Sequence, residues 1–167
     1  MTLGADSPQP LLFRYEHLVR LNDAAVPVTP LSRSQVWEGL LGRVRFPERY
    51  DPLITALEVH FCHDGIWHRH YRRSGVEIKD RATAHEQSLV TFVTLSPAEF
   101  RSSTHAIALE EPSPGALFLR FTYDLRGSGK IPTEAEAGAL RATYHQMDLE
   151  YVRRLRELAL LKSGDPA

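Results

Sequence analysis

Residues 133–162 constrain this chain more than any other stretch. Thr133 and Glu136 have the spacing of a capping box, Pro132 precedes them, and Gly164 and Pro166 punctuate the far end. Between these marks Leu140, Tyr144, Met147, Tyr151, Leu155 and Leu158 recur at steps of four, three, four, four and three, so they share one helical face. That face is too broad and apolar to lie in water. The preceding chain reads mostly as strand, so the helix must find its cover on a sheet. A long helix laid along a curved antiparallel sheet encloses space, and the aromatic and Met side chains on it suggest a cavity.

The rest of the chain supplies that sheet. Residues 1–11 read as a flexible lead. Beyond them Phe13, Tyr15, His17, Val19 and Leu21 alternate with Arg14, Glu16 and Arg20, the pattern of a half-buried strand. After a Pro-containing connection, Ser32 and Gln35 form a second capping box. It opens a short helix carrying Val36, Trp37, Leu40, Leu41 and Val44, and Phe46 to Tyr50 begin a second short helical turn at Pro47. Asp64-Gly65 predicts a two-residue hairpin loop, which sets Phe61 opposite His68, Val59 opposite His70, Cys62 opposite Trp67 and Glu58 opposite Tyr71. Further strands are expected over 76–83, 89–95, 104–110 and 117–125. On the last two, His105, Ile107 and Leu109 and then Leu117, Leu119, Phe121 and Tyr123 point inward. A meander with helices segregated to one face is an α+β domain, expected over 12–162 with a short tail at 163–167. No Gly-rich loop joins a strand to a helix, which argues against a doubly wound nucleotide fold.

Composition narrows the partners. A net charge of -1 over 167 residues gives no electrostatic reason to expect nucleic acid or an anionic membrane. The single cysteine, Cys62, excludes an intramolecular disulfide, reads as a small buried thiol and fits a reducing compartment. The first ten residues lack a signal-peptide pattern, and no apolar run reaches the ~20 residues a bilayer span needs. A cytoplasmic location is therefore expected.

Several stretches carry a family resemblance. They are Phe13-Arg14-Tyr15-Glu16-His17-Leu18-Val19 with Leu21-Asn22-Asp23, then Pro30-Leu31-Ser32-Arg33-Ser34-Gln35-Val36-Trp37-Glu38-Gly39-Leu40. Later come Val76-Glu77-Ile78-Lys79-Asp80-Arg81 and Pro114-Gly115-Ala116-Leu117-Phe118-Leu119-Arg120-Phe121-Thr122-Tyr123. With the element order, these runs resemble the START-like (SRPBCC, helix-grip) superfamily, and within it the AtaL-like family. The resemblance implies a seven-stranded antiparallel sheet gripping the last helix, two short helices between the first two strands, and a deep pocket for hydrophobic small molecules. Members of the superfamily include lipid carriers, hormone receptors and polyketide cyclases or aromatases; the AtaL-like branch implies no particular reaction. The run Arg69-His70-Tyr71-Arg72-Arg73-Ser74 is more polar than the family strand, so which face of 66–73 points inward stays open.

Eight histidines raise the question of a metal, but zinc needs three or four ligands converging at ~2.0–2.3 Å. Strand alternation puts His68 and His70 on one face and, in the expected register, His60 on the other. Only a cross-sheet site completed by His17 or His105 is conceivable, and neither a metal nor any other cofactor is expected. There is no Gly-x-Ser-x-Gly elbow, and Cys62 has no identifiable base. Glu110-Glu111 and Glu134 with Glu136 are explained by a turn and a helix first turn. The expected ligand pocket comprises His17, Trp37, Phe92, His105, Ile107, Phe121, Tyr123, Leu140, Tyr144 and Met147. Three functions fit: binding of a hydrophobic or aromatic molecule, a cyclase/aromatase-like reaction with a pocket His or Tyr as general acid–base, or an interaction module with a filled core. The oligomeric state is left open.

Overall fold

A computed structural model describes residues 9–25, 27–94, 101–162 and 164, with Arg101 described in its backbone only. The chain runs β1 (Leu11–Arg20), α1 (Arg33–Arg45), a 3₁₀ turn (Pro47–Arg49), β2 (Ile54–Phe61), β3 (Ile66–Arg73), β4 (Val76–His85), β5 (Leu89–Thr94), β6 (Arg101–Glu110), β7 (Phe118–Gly127) and α2 (Glu134–Lys162). All seven strands form one curved antiparallel sheet in the order β1-β7-β6-β5-β4-β3-β2. This is the expected α+β helix-grip arrangement. Of the two short helices anticipated before β2, the first is α1 and the second a single 3₁₀ turn. The strand expected to follow the N-terminal lead already includes Leu11. Residues 1–8, Leu95, Ser163 and 165–167, the last including Pro166, lie outside the described residues.

Local chemistry starts both helices where the capping spacings predict. Ser32 Oγ accepts from Gln35 N at 3.2 Å while Gln35 Oε1 accepts from Ser32 N at 2.8 Å. At α2, Glu136 accepts from Thr133 N at 2.7 Å, and these bonds from Thr133 hold its carboxyl below the usual range. The helices pack directly at Gly39, where an added Cβ would lie 2.6 Å from Leu155 Cγ. Only a residue without a side chain lets α1 come so close to α2.

The β2–β3 hairpin departs from its expected register. Phe61 pairs with Trp67, His60 with His68, Val59 with Arg69 and Glu58 with His70. Cys62 N donates to Ile66 O at 2.9 Å, so the loop holds three residues, His63 to Gly65, instead of two. Asp64 and Gly65 both take positive φ, at 52° and 71°, as the Asp-Gly signal implies. A Cβ on Gly65 would meet Ala84 O at 2.6 Å, which makes glycine obligatory there. The one-residue slip changes which residues share a face. His60 and His68 are same-face neighbours after all, and Cys62 is exposed at the hairpin end, not buried. Trp67, Arg69 and Tyr71 are the buried set of β3. The inner face of 66–73 is therefore partly charged.

Two lateral rows of inward residues prepare the site. One passes Tyr15, Tyr123, His105, Phe92, Ala82 and Trp67 across β1, β7, β6, β5, β4 and β3. The adjacent row holds Ser103, Thr94, Asp80 and Arg69. Among the described residues, no helix is long and apolar enough to cross a membrane.

Candidate ligand pocket

A cavity of about 970 Å³ opens between the sheet and α2. That is at the upper end of the roughly 300–1,000 Å³ typical of small-molecule sites. Its floor comes from Arg69, Tyr71 and Arg73 on β3, Asp80 on β4, Phe92 and Thr94 on β5 and His105 on β6. Arg43, near the end of α1, closes one side together with the segment from Pro47 to Ile54. The α2 side presents Ala142, Thr143, Gln146, Met147, Glu150 and Tyr151.

The floor carries a buried ion pair. Arg69 Nε donates to Asp80 Oδ1 at 2.7 Å and Nη2 to Oδ2, with side-chain exposures of 4% and 3%. Tyr71 Oη also donates to Asp80 Oδ2, at 3.1 Å, and Arg69 Nη1 donates to the Arg43 carbonyl. Every polar atom of the cluster is thereby engaged, the condition under which a buried pair persists. Burial, then the Asp80 charge, push the Tyr71 hydroxyl up to about 12, so it stays a donor at neutral pH. Arg69 additionally lies over the Phe92 ring, 4.6 Å from its centroid.

His105 sits within a ring stack. Tyr144 on α2 stacks on Tyr123 at 4.0 Å, Tyr123 on His105 at 4.2 Å, and His105 on Phe92 at 5.7 Å. Its Nε2 is buried without a hydrogen-bond partner among the described residues. Burial first, then the positive charges of Arg43 and Arg69 and the proximity of His17, hold its pKa well below 6.5. The ring is neutral at physiological pH.

Behind this stack lies a second polar cluster. His17 Nε2 donates to Asp148 Oδ2 at 2.7 Å and Tyr123 Oη donates to Asp148 Oδ1 at 2.7 Å. Burial lifts the Asp148 carboxyl above its ordinary range, partly offset by these two bonds and the Arg43 charge. The cluster ties α2 to β1 and β7 and fixes the orientation of Tyr123 against His105.

Of the ten residues expected at the pocket, Phe92, His105 and Met147 line this cavity. Tyr123, Tyr144 and His17 support His105 from behind. Trp37, Ile107 and Phe121 are buried in the main core, because α1 covers their end of the sheet, and Leu140 is half-buried one turn before Tyr144. Sequence reasoning missed Arg43, Arg69, Tyr71, Asp80 and Asp148 as interior groups. Asp148 was within reach, since it lies four residues from Tyr144 and three from Tyr151, inside the apolar stripe. Arg69 and Tyr71 depended on a hairpin register that the Asp-Gly pair alone does not set. Among the described residues, no group of three or more His, Cys, Asp or Glu side chains is placed to hold a metal ion.

A curved seven-stranded sheet closed by a C-terminal helix over a cavity defines a START-like helix-grip protein. Similar solved structures include the di-domain ARO/CYC StfQ from the steffimycin biosynthetic pathway (TM-score 0.69, 13% identity, 93% of this chain and 53% of that one). The chain thus spans about half of that protein's length. The Zhui aromatase/cyclase from a Streptomyces species (TM-score 0.59, 16% identity, 87% and 92% covered) and a START superfamily protein from Mycobacterium smegmatis (TM-score 0.61, 9% identity, 87% and 98% covered) share the fold. No curated protein matches the chain by sequence. The model of the AtaL family, described as acetylaranotin biosynthesis cluster protein L, matches residues 16–161, and the chain belongs to that family.

Proposed function

We propose that this protein binds an apolar or aromatic small molecule between the sheet and α2. The supporting observation is the cavity of about 970 Å³, walled by Phe92, Tyr151 and Met147 and floored by a fixed polar cluster. Desolvation of the ligand supplies affinity at about 25 cal/mol per Å² of apolar area, less the cost of association, while Tyr71, His105 and Arg43 orient it. Met147 is the adaptable wall, since an unbranched thioether fits ligands of differing shape. A cytoplasmic location accords with the exposed, unpaired Cys62 thiol. A ligand that binds only the native state raises its stability by mass action. Screening hydrophobic metabolites by thermal shift, with native mass spectrometry of the purified protein, tests the proposal. A flat response across diverse polycyclic and acyl compounds would count against it.

A second reading is catalytic, favoured by one observation: a neutral His105 borders the cavity. Such a ring could take a proton from a bound carbonyl compound and return it elsewhere, as a cyclase or aromatase requires. The fold shared with the Zhui aromatase/cyclase is compatible with this reading. Turnover abolished in His105→Ala with ligand binding retained would support it over a pure carrier. The third reading, an interaction module, calls for a filled interior, against which the cavity counts.

A further inference from the structure

The charges facing the pocket are equal in number but do not all pair with one another. Arg43, Arg69 and Arg73 are met there by Asp51, Asp80 and Glu150. Arg69 is taken by Asp80, Arg73 Nε donates to Asp51 Oδ2 at 2.7 Å, and Glu150 turns away to Arg153. Among the described residues Arg43 is left without an acidic partner. Its guanidinium lies 4.3 Å from the Tyr151 centroid and 5.6 Å from that of Phe92, and its Nη1 is buried with no hydrogen-bond partner among the described residues. The same Phe92 ring borders His105, whose Nε2 is also buried and unpartnered. Arg43 and His105 both line the cavity, so a polar guest in it would meet an arginine without an acidic partner among the described residues and a neutral histidine.

We propose that Arg43 and His105 form an anchor for a carboxylate, so that the pocket takes an aromatic acid in preference to a neutral compound of the same shape. The inference rests on the pocket reading above and specifies its ligand class. A carboxylate would pair with the Arg43 guanidinium, a charge-assisted contact of the stronger kind. Its second oxygen would accept from the His105 imidazole N–H, and the ligand ring would lie among Phe92, Tyr151 and Met147. Because burial, reinforced by the two nearby arginines, keeps His105 neutral, it supplies a donor without a second charge. Arg69 cannot replace Arg43 in this role, since Asp80 and the Arg43 carbonyl already occupy its donors.

The test compares 2-naphthoate with its neutral isostere 2-naphthamide, titrated calorimetrically into the full chain at neutral pH and low salt. Naphthoate should bind at least roughly tenfold more tightly, as a charge-assisted contact of this kind implies. Arg43→Gln should abolish that preference, and His105→Phe should reduce it by a smaller factor. Equal binding of the two probes to the wild-type protein would overturn the anchor yet leave the hydrophobic pocket standing. Failure of both to bind would overturn anchor and pocket together. A preference that survives Arg43→Gln would also overturn it, by assigning the charge to another arginine. The wild-type comparison decides even if a variant fails to fold.

Discussion

The two ends of the sheet's inner face meet on β5 and contrast in chemistry. At one end Val19, Leu119, Leu109 and Val90 pack with Val36, Leu40 and Val44 of α1, all buried and all apolar. A few residues along the same inward register stand Thr94, Asp80, Arg69 and Tyr71, around an open volume. α1 lies across this divide. Near its start Arg33 reaches the Gln87 and Leu109 carbonyls, and near its end the Arg43 carbonyl receives Arg69. The apolar end resembles any close-packed core, where volume lost is stability lost. The wet end is held by a few directional bonds around a space that packing does not fill. One inner face thus serves as foundation at one end and bounds the cavity at the other, divided by where the covering helix runs.

Four substitutions probe that contrast, beginning with the largest expected effect. Phe121→Ala in the solid end should cost about 4 kcal/mol in urea unfolding, the range for deleting a fully buried aromatic side chain. A loss below about 1 kcal/mol would mean the apolar end is not close-packed. At the wet end, Asp80→Ala strands the buried Arg69 and frees Tyr71, for an expected loss of about 3 kcal/mol. Adding Arg69→Met to Asp80→Leu should restore most of that stability, because the pair's worth lies in compensation more than in net attraction. If the double variant is as unstable as Asp80→Ala, the polar floor contributes more than mutual neutralisation.

Gly39→Ala probes the line where α1 meets α2. The new Cβ would press on Leu155, and we expect a loss of about 2 kcal/mol, relieved in a Leu155→Ala background. The smallest effect concerns pH. His105 has a folded pKa below its unfolded value of 6.5, so the unfolded state binds more protons in the window between them. Stability from this group is therefore complete above the unfolded value and lost as pH falls toward the folded one, by up to about 1 kcal/mol per pH unit. Unfolding curves of wild type and His105→Phe taken between about pH 5 and 7 should diverge with that sign. Parallel curves would show that His105 is solvated and its cavity open to bulk water.

How much of this was legible beforehand differs between the two ends. The apolar end follows from alternation and helical period: Val36, Leu40 and Val44 recur by fours, and Leu119, Phe121 and Tyr123 by twos. Both capping boxes declared the helix starts from four residues each. The wet end was only half visible. Phe92, His105 and Met147 stood out by type and register, but the charged partners around them did not. An arginine on a strand usually signals a solvated face. Arg69 reads as interior only once Asp80 is known to stand beside it on the next strand.

Local rules therefore determined that this chain makes a meander of strands and a long amphipathic helix, because caps, turns and periodicities act over a few residues of chain. The helix-grip architecture followed from those elements together with the family runs along the chain. Only the tertiary structure decided which charged side chains face inward. That choice turns on a one-residue hairpin offset and on polar pairing between elements, such as Arg69 with Asp80 across two strands and His17 with Asp148 between strand and helix. Both are long-range matters of register and electrostatics, and neither leaves a periodic trace in the linear order of residues.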